Sequence, residues 1–550
     1  MRGTRRGGAA AAVGGVAGLT LVSRALGFLR WVVEATTVGA GTVAGAYATA
    51  NQVPNVLYEV VVGGALSATV VPLLASAVAS GRRDEIERTA GGLLGLVLVV
   101  LVPAGAVLAL AAGPIADLFP TSQGVDPVLQ RELVTSFLRM FAVQVPLYGV
   151  GVVLTGVLQA HHRFTWPALT PVLSSLVVMA TYGVYGAMTG GAADGTASRA
   201  ALLVLGWGTT AGVAALSLPL LIPARRLGLR VRPTLCLERS TASRVVRLGG
   251  AGVLTLVAQQ ASVLVVLALA RSGGRTGTVA VYQYTQAVYV LPYAVLAVPV
   301  ATVLYPRLAA AFERPGPSGE RPAPEAVRLT ATATALVTAV ATAGAGMLVA
   351  ASAGAERFFA LLADVDGMGA ALVAMAPGLI GYALIYQGTR VLFAADSARS
   401  AASATAAGWL TVALASALAV HLAAPDGGDG AATLVALGVG QSAGMVVAGA
   451  ALLVVLARRT GAVSLRPSLR AVVVGGPVAA VAGLALRRLS EVPTGTTGCV
   501  VIAVLGAVVT AALVLLAVHL ADRSLLSALR RRGAAPLETQ ARHPDTEELP

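Results

Sequence analysis

Residues 89–116 read TAGGLLGLVLVVLVPAGAVLALAAGPIA; they follow Arg82, Arg83 and Arg88 and contain no charged side chain. About 20 consecutive apolar residues cross the hydrocarbon core of a bilayer as a helix, so this stretch predicts a membrane span. Similar stretches begin near residues 9, 43, 134, 165, 200, 246, 278, 326, 367, 400, 431, 470 and 497. Over 550 residues the chain is 56% hydrophobic and only 12% charged, about half the charge of a soluble domain. Backbone polar groups in lipid must be satisfied within the segment, which makes these spans helices. A transmembrane barrel would need alternating strands of about ten residues, and none are present. The expected fold is therefore an all-α polytopic membrane protein with about fourteen transmembrane helices.

All 39 basic residues are arginine, and the net charge is +14. In a soluble chain that charge would suggest nucleic acid; here it sets topology and contact with anionic lipids, and no nucleic-acid partner is expected. With the N-terminus inside, 29 of the 39 arginines fall on the cytoplasmic face, seven on the opposite face and three (Arg24, Arg30 and Arg139) within spans. The positive-inside rule thus predicts a plasma-membrane protein with both termini cytoplasmic. Arg271, Arg275, Arg487 and Arg488 run against the rule. Arg2, Arg5 and Arg6 precede an apolar run as in a signal peptide, but the deep Arg24 and Arg30 mark a retained first helix. Cys236 and Cys499 are the only cysteines, so neither a disulfide nor a thiolate metal site is expected. No GxxxxGK[ST] motif is present, which excludes a phosphate-loop ATPase engine and leaves membrane potential, an ion gradient or substrate consumption as the energy source. No cofactor or metal is expected.

The chain repeats itself. ALSATVVPLLASA around Pro72 matches PVATVLYPRLAAA around Pro306, and Val157-Leu158-Gln159-Ala160 matches Val391-Leu392-Phe393-Ala394. Both pairs are offset by 234 residues. The halves hold six spans each and so share one topology, a plan on which transporters place substrate between the halves. The expected division is an N-lobe over 1–223, a basic cytoplasmic linker over 224–245, a C-lobe over 246–457, two further spans over 458–521 and a tail over 522–550. The loop 315–324 is Pro-rich and is expected to be flexible, and residues 533–550 are polar and expected to be disordered.

Three stretches carry a family signature: Ser23-Arg24-Ala25-Leu26-Gly27-Phe28-Leu29-Arg30 with Gly39-Ala40-Gly41; Val53-Pro54-Asn55-Val56-Leu57-Tyr58-Glu59 running through Gly63-Gly64-Ala65-Leu66-Ser67 to Val71-Pro72; and Tyr289-Val290-Leu291-Pro292 with Tyr305-Pro306-Arg307-Leu308. Together they resemble the MurJ/MviN family of the superfamily that includes multidrug and polysaccharide exporters. The likeness spans roughly residues 10–520 and is nearest the actinobacterial branch. It implies a transporter, not an enzyme, that flips lipid II, an undecaprenyl-diphosphate-linked peptidoglycan precursor, and works beside cell-wall synthesis proteins. The first-span arginines carry over to Arg24 and Arg30. Elsewhere the chain departs from the better-known pattern: Tyr58, Glu59 and Gly63 stand where two arginines and a glutamate line the cavity, Gly45 replaces an acid, and Ala287 stands near a missing arginine.

The residues themselves support a cationic cavity. Arg24 lies about 22 Å along the first helix, too deep to snorkel, and a charge there costs at least ~2.5 kcal/mol unless it faces water or a partner. Guanidinium stays charged and grips phosphate oxygens through two parallel donors. Arg30 has Glu34 four positions on, so an intrahelical pair competes with substrate contact. Asn51, Asn55 and Glu59 share a face of the second span, with Tyr58 beside them; interhelical hydrogen bonding is the competing role. Glu59 is the candidate titrating group. In the second half Gln260, Tyr284 and Gln286 form the corresponding polar cluster, suited to sugar or peptide groups or to helix packing, and Pro292 and Pro299 allow the eighth span to bend. The expected substrate contacts are therefore Arg24, Arg30, Asn55, Tyr58, Glu59, Gln260, Tyr284 and Gln286. A flippase for another undecaprenyl-diphosphate-linked glycan, a small-molecule or drug exporter and a non-transporting cell-wall scaffold remain open. The acidic loop residues are scattered, which speaks against a membrane-embedded glycosyltransferase or phosphatase.

Overall fold

The computed structural model describes residues 4–60, 70–190, 197–229, 232–234, 239–313, 322–492 and 495–523. The helices are α1 (Thr4–Thr37), α2 (Thr42–Tyr58), α3 (Val70–Ala79), α4 (Arg83–Leu110), α5 (Ala112–Asp117), α6 (Pro127–Phe141), α7 (Gln144–Ala160), α8 (Thr165–Thr189), α9 (Arg199–Ser217), α10 (Leu221–Arg226), α11 (Arg239–Ser272), α12 (Thr278–Pro292), α13 (Val298–Glu313), α14 (Pro324–Ala360), α15 (Met368–Ala394), α16 (Ala398–Ala423), α17 (Gly430–Thr460), α18 (Arg466–Glu491) and α19 (Thr496–Ala521). Twelve stretches among the described residues are long and apolar enough to cross a membrane. α1, α2 and α3 precede them in the chain. The molecule is an all-helical, multi-pass membrane protein. Cys236, Gly63–Ser67 of the second motif, residues 314–321 and 191–196 of two loops, and the tail beyond 523 lie outside the described residues.

The 234-residue offset recurs in backbone geometry. His162 and Asp396 are the two non-glycine residues with positive φ, at 57° and 52°, among the described residues. Each closes a helix in the same way: Arg163 N donates to Leu158 O and Ser397 N to Leu392 O, at 2.8 and 2.7 Å. A left-handed residue after the last turn lets the following amides cap orphan carbonyls. The second and eighth spans are also paired. A π-turn starts at Glu59 in one, and a π-helix runs over Tyr293–Ala297 in the other. Both follow a helical proline, Pro54 and Pro292. Proline removes a ladder donor, and π-turns widen the helix and free carbonyls.

Packing places α14 at the centre of the second half. Its membrane window is 89% buried, against α15, α18 and α19. Gly346 makes this possible: a Cβ there would lie 2.7 Å from Thr510 Cγ2 and 3.0 Å from Ala479 Cβ, so only glycine lets the helix axes approach this closely. The basic linker is partly seated on the first half. Thr234 N donates to Gly91 O of α4 at 3.0 Å.

Candidate functional site

Two seams join the halves. On the face of the Gly39–Gly41 turn, Tyr284 of α12 donates to Gly39 O at 2.7 Å. Arg271, at the end of α11 and only 2% exposed, donates through Nε to Pro120 O at 2.7 Å and through Nη1 to Thr49 Oγ1 at 2.8 Å. Thr276 N donates to Gln123 O at 3.0 Å, and Gln123 Nε2 to Asp426 O at 2.8 Å. Gly277 has φ +85°, and a Cβ on it would run into Ala40 O. This face is closed by carbonyls, hydroxyls and one buried guanidinium. Deeper in, the cross-half hydrogen bond among the described residues is a long one, from Arg24 Nη1 to Ala294 O at 3.4 Å. Its acceptor lies in the π-helix of the eighth span.

Between these seams is a cavity of about 690 Å³, within the range of ligand sites. Arg24, Arg30, Asn51 and Asn55 line it from the first half, and Gln283 and Gln286 from the second. Arg24 is exposed, while Arg30 is half-buried and stacks over Trp31, 5.0 Å from the ring centre. Asn55 Oδ1 accepts from Tyr148 OH at 2.9 Å, and Tyr148 packs on Tyr58 with ring centres 4.5 Å apart. Gln286 Nε2 donates to Tyr282 OH at 2.6 Å. The arrangement presents two cations on one wall and neutral amides opposite. It suits an anionic group joined to a polar, uncharged body.

Of the expected contacts, Arg24, Arg30, Asn55 and Gln286 face the cavity. Tyr58 stands behind Tyr148 as a support. Glu59 is half-buried at the π-turn, outside the wall. Gln260 is 5% exposed and Tyr284 is fully buried, and neither lines the cavity. Tyr284 instead packs against Trp31 and Phe359 and ties the closed seam. Glu34 is 2% exposed and accepts from Tyr182 OH at 2.8 Å, with Arg30 as its cationic neighbour on the same helix. Sequence reasoning did not reach Tyr148, Tyr182, Tyr47 or Thr209. The signal was there: a tyrosine hydroxyl inside an apolar helix must find a partner.

A sequence model of the family described as "Lipid II flippase MurJ" matches residues 34–515. A "Probable lipid II flippase MurJ" of Synechocystis sp. is 32% identical over 169 residues, which covers 31% of this chain and 31% of that protein. One from Vibrio cholerae is 31% identical over 174 residues, 30% of this chain and 32% of that protein. The aligned segments thus span about a third of these relatives. Among solved structures, "Lipid II flippase MurJ, inward closed conformation" superposes with a TM-score of 0.68 at 16% identity, covering 93% of this chain and 99% of that one. An inward-facing multidrug resistance transporter of the MATE family gives 0.64 at 14% identity, over 82% and 99%. At such identities these two establish the shared fold.

Proposed function

The chain belongs to the MurJ lipid II flippase family, and from that premise we propose that it moves lipid II from the inner to the outer leaflet of the plasma membrane by alternating access. The observation that carries this reading is the pair of guanidiniums, Arg24 and Arg30, on the wall of a cavity between two lobes that are closed at one face. The diphosphate engages Arg24 with Arg30 assisting. Asn55 and Gln286 meet the polar headgroup, and Tyr58 acts through Tyr148. With both termini cytoplasmic, the Arg271 seam is the outer gate and the cavity fills from the cytoplasm. Residues 1–223 and 246–457 are the rocking lobes, and 458–521 flank them. Anionic lipids hold the arginine-rich face, cell-wall synthesis proteins are the protein partners, and an ion gradient or the membrane potential supplies the drive. The Pro54-Asn55 and Tyr58-Glu59 pattern supports a place in the actinobacterial branch.

The test is outward translocation of lipid II in cells depleted of their own flippase, comparing the chain with Arg24→Ala at matched membrane abundance. Transport by the parent and its loss in the variant are expected. Transport by both would remove Arg24 from the site. No transport by a correctly inserted parent would favour a second reading, another undecaprenyl-diphosphate-linked glycan. The neutral second-half wall, with Ala287 among its lining residues, is the observation that supports that alternative.

A further inference from the structure

Glu34 is the one buried carboxylate among the described residues, and it lies at the end of a chain of hydroxyls. Tyr182 OH donates to Glu34 Oε2 at 2.8 Å, Tyr47 OH lies 2.9 Å from Tyr182 OH and 3.0 Å from Thr209 Oγ1, and Thr209 Oγ1 donates to Leu205 O at 2.7 Å. Glu34, Tyr47, Tyr182 and Thr209 are each no more than 4% exposed. Thr209 nevertheless forms part of the cavity wall. The chain therefore runs from the cavity to a buried acid on α1.

When Glu34 is charged, the chain has room for one more proton. Each hydroxyl carries one hydrogen. Three hydroxyls must then fill four short oxygen contacts. With a carboxylate at the end, the hydrogen of Tyr182 goes to Glu34 and that of Thr209 to Leu205 O. Tyr47 has one hydrogen left for two neighbours. One additional proton, on Glu34, completes the chain: Glu34 donates to Tyr182, Tyr182 to Tyr47, Tyr47 to Thr209 and Thr209 to Leu205 O. The charged state thus leaves one of the four contacts unfilled, and a proton on Glu34 fills it. Loading proceeds by hops: Thr209 turns from Leu205 O toward Tyr47, and as a proton donor in the cavity protonates Thr209 Oγ1, Thr209 passes its own hydrogen to Tyr47, Tyr47 to Tyr182 and Tyr182 to Glu34, each O–H bond breaking as the next forms; turning of the hydroxyls then resets the chain.

The ionisable groups facing Glu34 are Arg30 on α1, Tyr47 on α2, Tyr182 on α8 and Tyr284 on α12. Arg30 is the only cation among them. It lies one helical turn from Glu34 and lines the cavity. Its field favours the carboxylate while the cavity is empty, and an anion bound to Arg30 cancels that field. We propose that Glu34 is a proton-binding site that exchanges with the cavity through Tyr182, Tyr47 and Thr209, and that it loads when a diphosphate engages Arg30. One proton then enters from the cavity for each anion bound. The loading step rests on reading the cavity as a diphosphate site; the proton site does not.

The experiment uses the full chain in lipid nanodiscs and infrared difference spectroscopy at constant neutral pH. Adding undecaprenyl diphosphate should raise a protonated-carboxyl C=O band in the parent and none in Glu34→Gln. Arg30→Gln should show the band without lipid, and Tyr47→Phe should slow its deuterium shift after transfer to D2O while lipid still binds. Lipid binding to the parent with no band, or a band that persists in Glu34→Gln, overturns the proposal. A parent that does not bind the lipid defeats the diphosphate reading and the loading step with it. The Arg30→Gln spectrum, which needs no lipid, then decides the proton site: its band supports the site and its absence overturns it.

Discussion

Arg271 Nη1 reaches Thr49 Oγ1 at 2.8 Å across the boundary between the halves, while its Nε holds Pro120 O. A buried guanidinium whose partners belong to the other half is a tie that must break if the halves part. Removing it takes a charged donor from Thr49 Oγ1 and from Pro120 O, which keeps only the 3.4 Å bond from Gln130 Nε2; a hydrogen bond to a charged group contributes about 1.5–3 kcal/mol. Arg271→Ala should therefore shift the molecule toward opening at this face. Spin labels at Asp126 and Asp364, both exposed, should report a longer and broader distance distribution than in the parent. An unchanged distribution would mean that the Arg271 tie is not what keeps this face closed.

Gly277 combines a left-handed backbone with contact against Ala40 O. Gly190 is also left-handed, with φ +61°, but has open space around it. Alanine at either position meets a backbone cost of about 1–2 kcal/mol, and only at Gly277 does the methyl also collide. The thermal midpoint in detergent should fall further for Gly277→Ala than for Gly190→Ala. Equal falls would reduce the effect to backbone strain.

Tyr148→Phe removes the donor to Asn55 Oδ1 while keeping the ring on Tyr58. A hydrogen bond of this kind contributes about 0.5–1.5 kcal/mol, so affinity for a headgroup that uses Asn55 should change by roughly 2–10-fold at unchanged protein abundance. Tyr58→Phe keeps the stack and should match the parent. Lipid II binding measured for both variants checks this; a Tyr58→Phe defect as large as that of Tyr148→Phe would place the Tyr58 hydroxyl itself in contact.

Gly346→Leu would drive a side chain into Thr510 and Ala479. Overpacking a tight crossing costs typically 1–3 kcal/mol. The thermal midpoint should drop, and α18 and α19 should become more accessible to limited proteolysis at their ends. A midpoint equal to the parent's would show that the crossing can spread without loss.

The helices were legible because a span must be long and apolar, and Arg24 and Arg30 were legible because charge inside a span needs a reason. The wall of the eighth span was read only in part. Gln283 and Gln286 share a helix face and line the cavity, whereas Tyr284, about 100° around from Gln283, points into the seam. Polar residues in one short run do not share one environment. Arg271 violated the positive-inside rule in the sequence, and its burial explains why: it balances carbonyls and hydroxyls rather than marking a cytoplasmic loop. Pro54 and Pro292 suggested bends, but the π-turns that follow them depend on packing between helices. The hydroxyl chain to Glu34 joins four helices, and no spacing along one of them reveals it.

The deep burial of α14 assigns the two halves unequal mechanical parts. A helix clamped by α15, α18 and α19 cannot turn without carrying all three. In the alternating-access cycle proposed above, the second half with the last two helices is then the heavier body and the first half the lighter arm, and most of the displacement met by the surrounding lipid is expected on the side of the first half.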